Sequence, residues 1–286
     1  MSVGIVTDSN SGILGNEEWE KEVYVIPMPV ILDGVTYYEG QNMTHEQFYR
    51  FLSEHKSITT SQPAPADILD AWESMFEMGY KEIVYIPMSS ALSNAYQTAH
   101  FLAEAYDGKV QVVDNHRISV TQKQSVHDAV RLAEIGCTAD IIRRKLEKTA
   151  FDSAIYVGTE TLEYLKKGGR ITPAAAAMGS LLNLKPLLTI RGQKLDAYAK
   201  VRGTKACKKK LIEAMKRSAD AFYEKGLKIS IGAAGSYPDC ESDWEWWEMV
   251  KEAFPDEEVF YDPLTFSISS HVGPGAFGIG ISRKII

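Results

Sequence analysis

Two short stretches crowd hydroxyls and amides beside predicted helices: TTSQPAP at 59–65 and SSALSNAYQT at 89–98. Thr59, Thr60 and Ser61 in the first, and Ser89, Ser90, Ser93 and Asn94 in the second, suit ordinary N-capping, in which a side-chain oxygen accepts an orphan backbone amide. The same groups can bind a ligand, because several hydroxyls at the positive end of a helix dipole form a small anion site. Two such loops one βα unit apart point to convergence on one ligand group. His271 is a third candidate, set in SSHVGPGAFGIG, where Gly273 and three further glycines let the backbone come close to whatever it faces. A satisfied buried histidine is the plainer alternative. KKGGRI at 166–171 closes a helix on Gly168 and Gly169 and then offers Arg170. Its guanidinium can fork onto a carboxylate or phosphate, or pair with a neighbouring Asp.

Other chemistries lack their residues. The six histidines are scattered without HExxH spacing, and there is no GxSxG elbow, Walker loop or dinucleotide fingerprint. Gly273 to Gly278 mimic the last weakly, but they precede a strand and open no long helix. Cys137, Cys207 and Cys240 are far apart, which argues against a disulfide framework or a cysteine metal site. A net charge of −7 argues against a general nucleic-acid role, since phosphate binding needs a dense cationic face. Basic clusters at Arg143 to Lys145, at Lys166, Lys167 and Arg170, and at Lys205 and Lys208 to Lys210 suit solvated helix faces. Arg202 and Lys205 are also candidates for docking an acidic partner or the phosphates of a nucleotide. The start MSVGIVTDS lacks a basic region followed by a long apolar one, and no later run reaches the roughly 18 apolar residues that span a bilayer. A cytoplasmic protein with at most transient membrane contact is expected.

The elements that must position these residues alternate. VGIVTDS (3–9), EIVYIP and VQVVD read as strands separated by a helix that follows the polar, proline-marked entry of the 59–79 stretch and ends at Gly79, and by another from LSNAY onward, and Thr44 with Gln47 marks a helix start in capping-box spacing. This rhythm is that of a parallel sheet covered by helices, and ligands gather beyond the carboxyl ends of such strands. That rule lines up Thr7, Asp8, Ser9, Ser89, Ser90, Asp114 and Asn115 on one rim. VYVIPMPVIL at 23–32, Asp33-Gly34 and VTYYEG form a hairpin signal. Beyond residue 138 come helices at 139–149, 161–168, 204–224 and 242–253, a short alanine-rich helix, and strands at 152–158, on either side of Arg191-Gly192-Gln193, and in LKISIGAA, EVFYDP and FGIGISRK. Trp244, Trp246 and Trp247 fit one face of an amphipathic helix. Two α/β domains, 1–150 and 151–286, sharing a cleft are expected, with the last segment returning toward that cleft.

In chain order, TDS at 7–9, TSQP at 60–63, SSALSNAY at 89–96, VVDN at 112–115, EYLKKGGRI at 163–171, KPLL at 185–188 and HVGPGAFG at 271–278 resemble the DegV family. The resemblance covers essentially the whole chain. It implies two α/β domains that enclose one long-chain fatty acid in an apolar tunnel, with no cofactor. It further implies a fatty-acid-binding subunit of bacterial fatty acid kinase, which presents the carboxylate to a separate ATP-using kinase subunit. On this basis Thr60 and Ser93 hydrogen-bond the carboxylate, beside Ser61, Asn94 and Gly273. His271 approaches the head group, and Arg170 serves the phosphorylated state or the kinase contact. Two departures stand out. The family usually has LSGTY where this chain has Leu92-Ser93-Asn94-Ala95-Tyr96, and VDS where it has Asp114-Asn115. The alternative is an enzyme acting on a small carboxylate or phosphate, with Ser93 as nucleophile and His271 as base.

Overall fold

The computed structural model describes residues 2–15, 19, 21–54, 58–178 and 184–286. Strands β1 (Val3–Asp8), β2 (Val23–Ile26), β6 (Glu82–Ile86) and β7 (Val110–Val112) form a parallel sheet in the order β2-β1-β6-β7. Every residue of β1 is buried, as expected of a strand covered on both faces. Ile5 and Val84 pack against α4 (Val120–Glu134) and α5 (Ala139–Lys148), while Val6 and Tyr85 pack against α2 (Pro65–Glu77) and α3 (Ala95–Ala103).

The second sheet is mixed, in the order β10-β9-β8-β13-β11-β12. Its strands are β8 (Ser153–Gly158), β9 (Leu184–Ile190), β10 (Asp196–Arg202), β11 (Ile229–Ser236), β12 (Val259–Pro263) and β13 (Ala276–Arg283). Helices α8 (Thr204–Tyr223) and α9 (Cys240–Ala253) cover one face, where Leu211 and Trp246 meet Ile231 and Ile279. A third sheet, β4-β3-β5, joins β3 (Pro29–Leu32), β4 (Val35–Tyr38) and β5 (Ile58–Thr60). It packs with α1 (His45–Ser53) and α10 (Phe266–Val272), and Phe48 stacks on Phe266 with ring centres 4.3 Å apart.

Several local expectations change. The apolar run at 23–32 is two strands in different sheets, because Pro27 and Met28 interrupt the pairing of β2 before β3 begins. The Asp33-Gly34 turn forms as read, with both φ angles positive (48° and 83°). Helix α2 starts at Pro65, at the end of the polar entry: Thr59 and Thr60 are strand residues of β5, and the cap position is Ala64, whose amide donates to Asp67 Oδ2. The hydroxyls of TTSQ are therefore not helix caps. Helix α1 carries the expected capping box, and the last residue of the helix read from the sequence, His55, lies outside the described residues. Only Trp246 of the tryptophan trio is fully buried; Trp247 donates to Val259 O, and Trp244 is 59% exposed.

Two helices went unread. Helix α4 opens VTQKQS, a polar start without apolar period, yet Thr121 to Ser125 are all buried because the helix lies between the two large sheets. Two of its polar side chains find partners across that junction: Gln122 Nε2 lies 3.2 Å from both Thr7 Oγ1 and Asp8 Oδ1, and Lys123 Nζ pairs with Asp262 Oδ1 at 2.5 Å. Helix α10 is hidden in sequence by the glycines that follow it, and it places His271 on a helix rather than in a loop.

Candidate functional site

An apolar cavity lies between the carboxyl ends of the parallel strands and the six-stranded sheet, about 870 Å³ counted out to its open mouth. Ile155, Val157, Ile190, Ala234 and Gly278 form the sheet side, and Met28, Met88, Leu92, Ile118 and Val120 face them. Apolar walls with a few polar groups are the pattern of small-molecule sites. Polar lining comes from Thr60, Ser61, Gln62, Ser93, Ser119, Arg170, Ser267 and His271. Thr60, Arg170 and His271 also line an adjoining, more polar cleft with Thr59, Glu163, Lys167 and Ser270. These three residues therefore stand at the boundary where the cavity opens outward.

Each is held by a different element. Thr60 ends β5, paired with Val30 of β3, and the amide of Ser61 continues the ladder to Pro29 O. His271, on α10, places Nε2 at 2.8 Å from Thr60 Oγ1. Its ring approaches Gly168 so closely that any Cβ there would collide with Nδ1, so the glycine at the end of α6 (Glu163–Gly168) seats the imidazole. Burial, and then the Arg170 charge, lowers the His271 pKa to about 4, so the ring is neutral at pH 7. Arg170 follows the left-handed Gly169 cap, and donates from Nε to Leu92 O at 3.2 Å and from Nη1 to Gly168 O. That bond ties the guanidinium to the loop carrying Ser93.

Ser93 lies in a turn whose amide donates to Ser89 O, and its Oγ accepts from the Ala95 amide at 3.2 Å. Its O–H hydrogen is left available to an acceptor. Asn94 has an ordinary negative φ of −85°, is exposed, makes no cap bond, and is not part of the cavity lining. Ala95 is fully buried, and a bridge between the two loops comes from Gln62 Nε2, which donates to Thr98 Oγ1 at 2.8 Å. Gly273 is also off the cavity: with φ of 79° it caps α10, and a Cβ there would lie 2.5 Å from the Tyr164 ring. Arg202 ends β10 and Lys205 opens α8; both are exposed and away from the cavity lining.

The expected rim is present, but its chemistry is internal. Thr7 donates to Ile86 O, Asp8 Oδ2 accepts from the Met88 amide at 2.7 Å, and Asn115 Oδ1 accepts from the Arg117 amide. Neither Thr7, Asp8, Ser9, Ser89 nor Asn115 lines the cavity. Residues not singled out from the sequence take that place: Gln62, Ser119 and Ser267. Ser119 has a φ of 56°, a strained conformation for a non-glycine residue and frequent at functional sites. The TSQP motif contained Gln62; nothing local marked Ser119 or Ser267. Among the described residues, no group of three or more His, Cys, Asp or Glu could hold a metal ion, and no helix is long and apolar enough to cross a membrane.

The fold and cavity define an α/β protein of two large sheets and one small one, with an apolar cavity that opens at a polar mouth. The chain belongs to the DegV family, described as uncharacterised protein, DegV family, whose model matches residues 2–284. A DegV domain-containing protein of Listeria monocytogenes is 28% identical over 287 residues, covering 99% of each chain. The solved structure of a DegV family protein from Thermus thermophilus, described as fatty acid binding, superposes with a TM-score of 0.87 at 30% identity, covering 99% of this chain and 100% of that one. A fatty-acid-binding DegV family protein from Streptococcus agalactiae gives 0.86 at 27% identity, with 99% of each chain covered.

Proposed function

We propose that this protein encloses a long-chain fatty acid in the cavity and presents its carboxylate, at the boundary with the outer cleft, to a separate ATP-using kinase subunit. The observation that carries this is the sharing of Thr60, Arg170 and His271 between the apolar cavity and the polar cleft. An acyl chain inside leaves its head group within reach from outside. The fatty-acid-binding relatives support the ligand class.

The chemistry fits an amphiphile. Each buried methylene contributes about 0.8 kcal/mol, so a tail of roughly 14 to 18 carbons contributes on the order of 10 kcal/mol before association costs. A carboxylate leaving water needs charge-assisted donors. Neutral His271, with its proton on Nε2, donates to Thr60 Oγ1, which frees the Thr60 hydrogen for the carboxylate. Ser93 O–H supplies a second donor and the Arg170 guanidinium a nearby positive charge. Ser61, at the mouth, completes the polar rim, whereas Asn94 and Gly273 shape the flanking turns.

In the partner's step the carboxylate oxygen forms a bond to the γ-phosphorus of ATP and ADP leaves, giving an acyl phosphate. Arg202 and Lys205 are the proposed docking contacts for that partner, on a cytoplasmic bacterial protein of two domains, 1–150 and 151–286. A Ser93–His271 dyad finds no support: Nε2 of His271 engages Thr60, and Ser93 Oγ accepts from a backbone amide. Organic extraction of the purified protein followed by mass spectrometry is expected to release fatty acid. With ATP, Mg²⁺ and fatty acid, acyl phosphate is expected only once a kinase subunit is added. Turnover by the isolated protein, abolished by His271→Ala, would replace presentation with catalysis.

A further inference from the structure

The face of the six-stranded sheet turned toward the cavity is unusually poor in side chains at its centre. On β13, Phe277, Ile279 and Ile281 point into the core beneath α8 and α9, so the intervening Gly278 and Gly280 occupy the opposite face. On β11, Ile231 and Ala233 take the same core, leaving Gly232 and Ala234 on that opposite face. The register pairs Gly232 with Gly280 and Ala234 with Gly278, making two adjacent rows of small residues. Neither row is explained by backbone conformation, because none of these three glycines has a positive φ. Glycine inside a strand weakens it, and often marks a place where another group approaches the backbone closely.

For the first row that group is the protein itself. A Cβ on Gly280 would lie 2.6 Å from Val120 Cγ2, and one on Gly232 would lie 2.7 Å from Val120 Cβ and 2.5 Å from the Phe260 ring. The glycines there seat the start of α4. For Gly278, in the second row, no element among the described residues is set so close opposite. The three atoms nearest a Cβ on Gly278 all belong to the adjacent strand, Tyr156 O at 3.3 Å and two Val157 atoms at 3.7 Å. Both Gly278 and Ala234 line the cavity. The space vacated by their side chains is ligand space.

We infer that Ala234 and Gly278 form the stretch of floor on which the acyl chain lies, and that their small size determines which chains the protein accepts. This rests on the fatty-acid reading above. Enlarging Ala234 fills apolar space that is empty without ligand, so two properties move in opposite directions: the ligand-free protein gains stability as the void closes, and the chain loses its bed. A residue with a merely structural role would lower both.

The test uses the full-length protein stripped of lipid, as wild type, Ala234→Leu and Gly278→Ala. Palmitate is titrated calorimetrically, melting temperatures are recorded without ligand, and acids retained from a common expression host are profiled by gas chromatography. For Ala234→Leu, at least tenfold weaker palmitate binding, an altered profile of retained acids and an unchanged or raised melting temperature are expected, with a smaller loss of affinity and no gain in melting temperature for Gly278→Ala, whose methyl would lie 3.3 Å from Tyr156 O. Wild-type affinity and profile in both variants would overturn the inference, as would loss of binding by Ala234→Leu accompanied by a lowered melting temperature. A wild type that retains no acid and binds no palmitate would instead defeat the fatty-acid reading itself.

Discussion

Replacing Thr60 by valine removes one oxygen at nearly constant volume, and that oxygen is the hub of the proposed head-group site. In the ligand-free protein the hydroxyl lies 2.8 Å from His271 Nε2. Its loss leaves a mostly buried ring nitrogen without a partner, which costs on the order of 1 kcal/mol of stability. In the complex the carboxylate also loses a hydrogen bond to a charged acceptor, worth about 1.5–3 kcal/mol. At 1.4 kcal/mol per decade this is a roughly 10- to 150-fold rise in Kd. The assay is calorimetric titration of lipid-free protein with palmitate at pH 7, with circular dichroism to confirm the fold. Thr60→Ser keeps the hydroxyl and is expected to stay within a few-fold of wild type. Equal affinity for Thr60→Val and wild type, with the fold intact, would refute the head-group assignment, whatever the cavity holds.

Ser93→Ala removes the second donor and is expected to weaken binding by about 1.5–3 kcal/mol; the double variant with Thr60→Val should fall short of the sum, since both hydroxyls serve one carboxylate. Arg202→Glu should cut kinase-dependent acyl phosphate formation while leaving fatty-acid affinity nearly intact, and rising salt should slow association of the unmutated protein with the kinase subunit; equal loss of both activities would make Arg202 structural. The pH dependence follows from His271, whose folded-state pKa is lowered to about 4. Below an unfolded value of about 6.5 the unfolded chain takes up the proton first, so the contribution of neutral His271 is complete above that pH and is lost as the pH falls toward 4. Denaturant melts of wild type and His271→Gln should therefore converge by about 2 kcal/mol between pH 7 and pH 5. Buried His127, Asp8 and Glu39 titrate in both proteins and cancel in that difference; a constant gap would show that His271 is not buried as described.

The sequence determined what depends on neighbours along the chain. The Asp33-Gly34 turn, the Thr44–Gln47 capping box, the Gly169 helix end and the βα rhythm of the first half are local, because each is decided by backbone preference or by periodicity within a few residues. The hydroxyls at 60–61 and 93 were legible as a candidate site by their type, although Thr60 reaches the cavity from a strand edge and not from a helix start. Only the tertiary structure decided the rest. Thr60 and His271 are 211 residues apart, and their hydrogen bond exists because β5 and α10 pack together. The first turns of helix α4 carry polar residues in place of an apolar stripe because they are enclosed by both sheets, where Gln122 and Lys123 find partners across the junction. Two glycines of one strand, Gly278 and Gly280, look alike in sequence. A Cβ on Gly280 would collide with Val120, whereas one on Gly278 would meet only the adjacent strand beside the cavity, and that difference arises from what the fold sets opposite each of them.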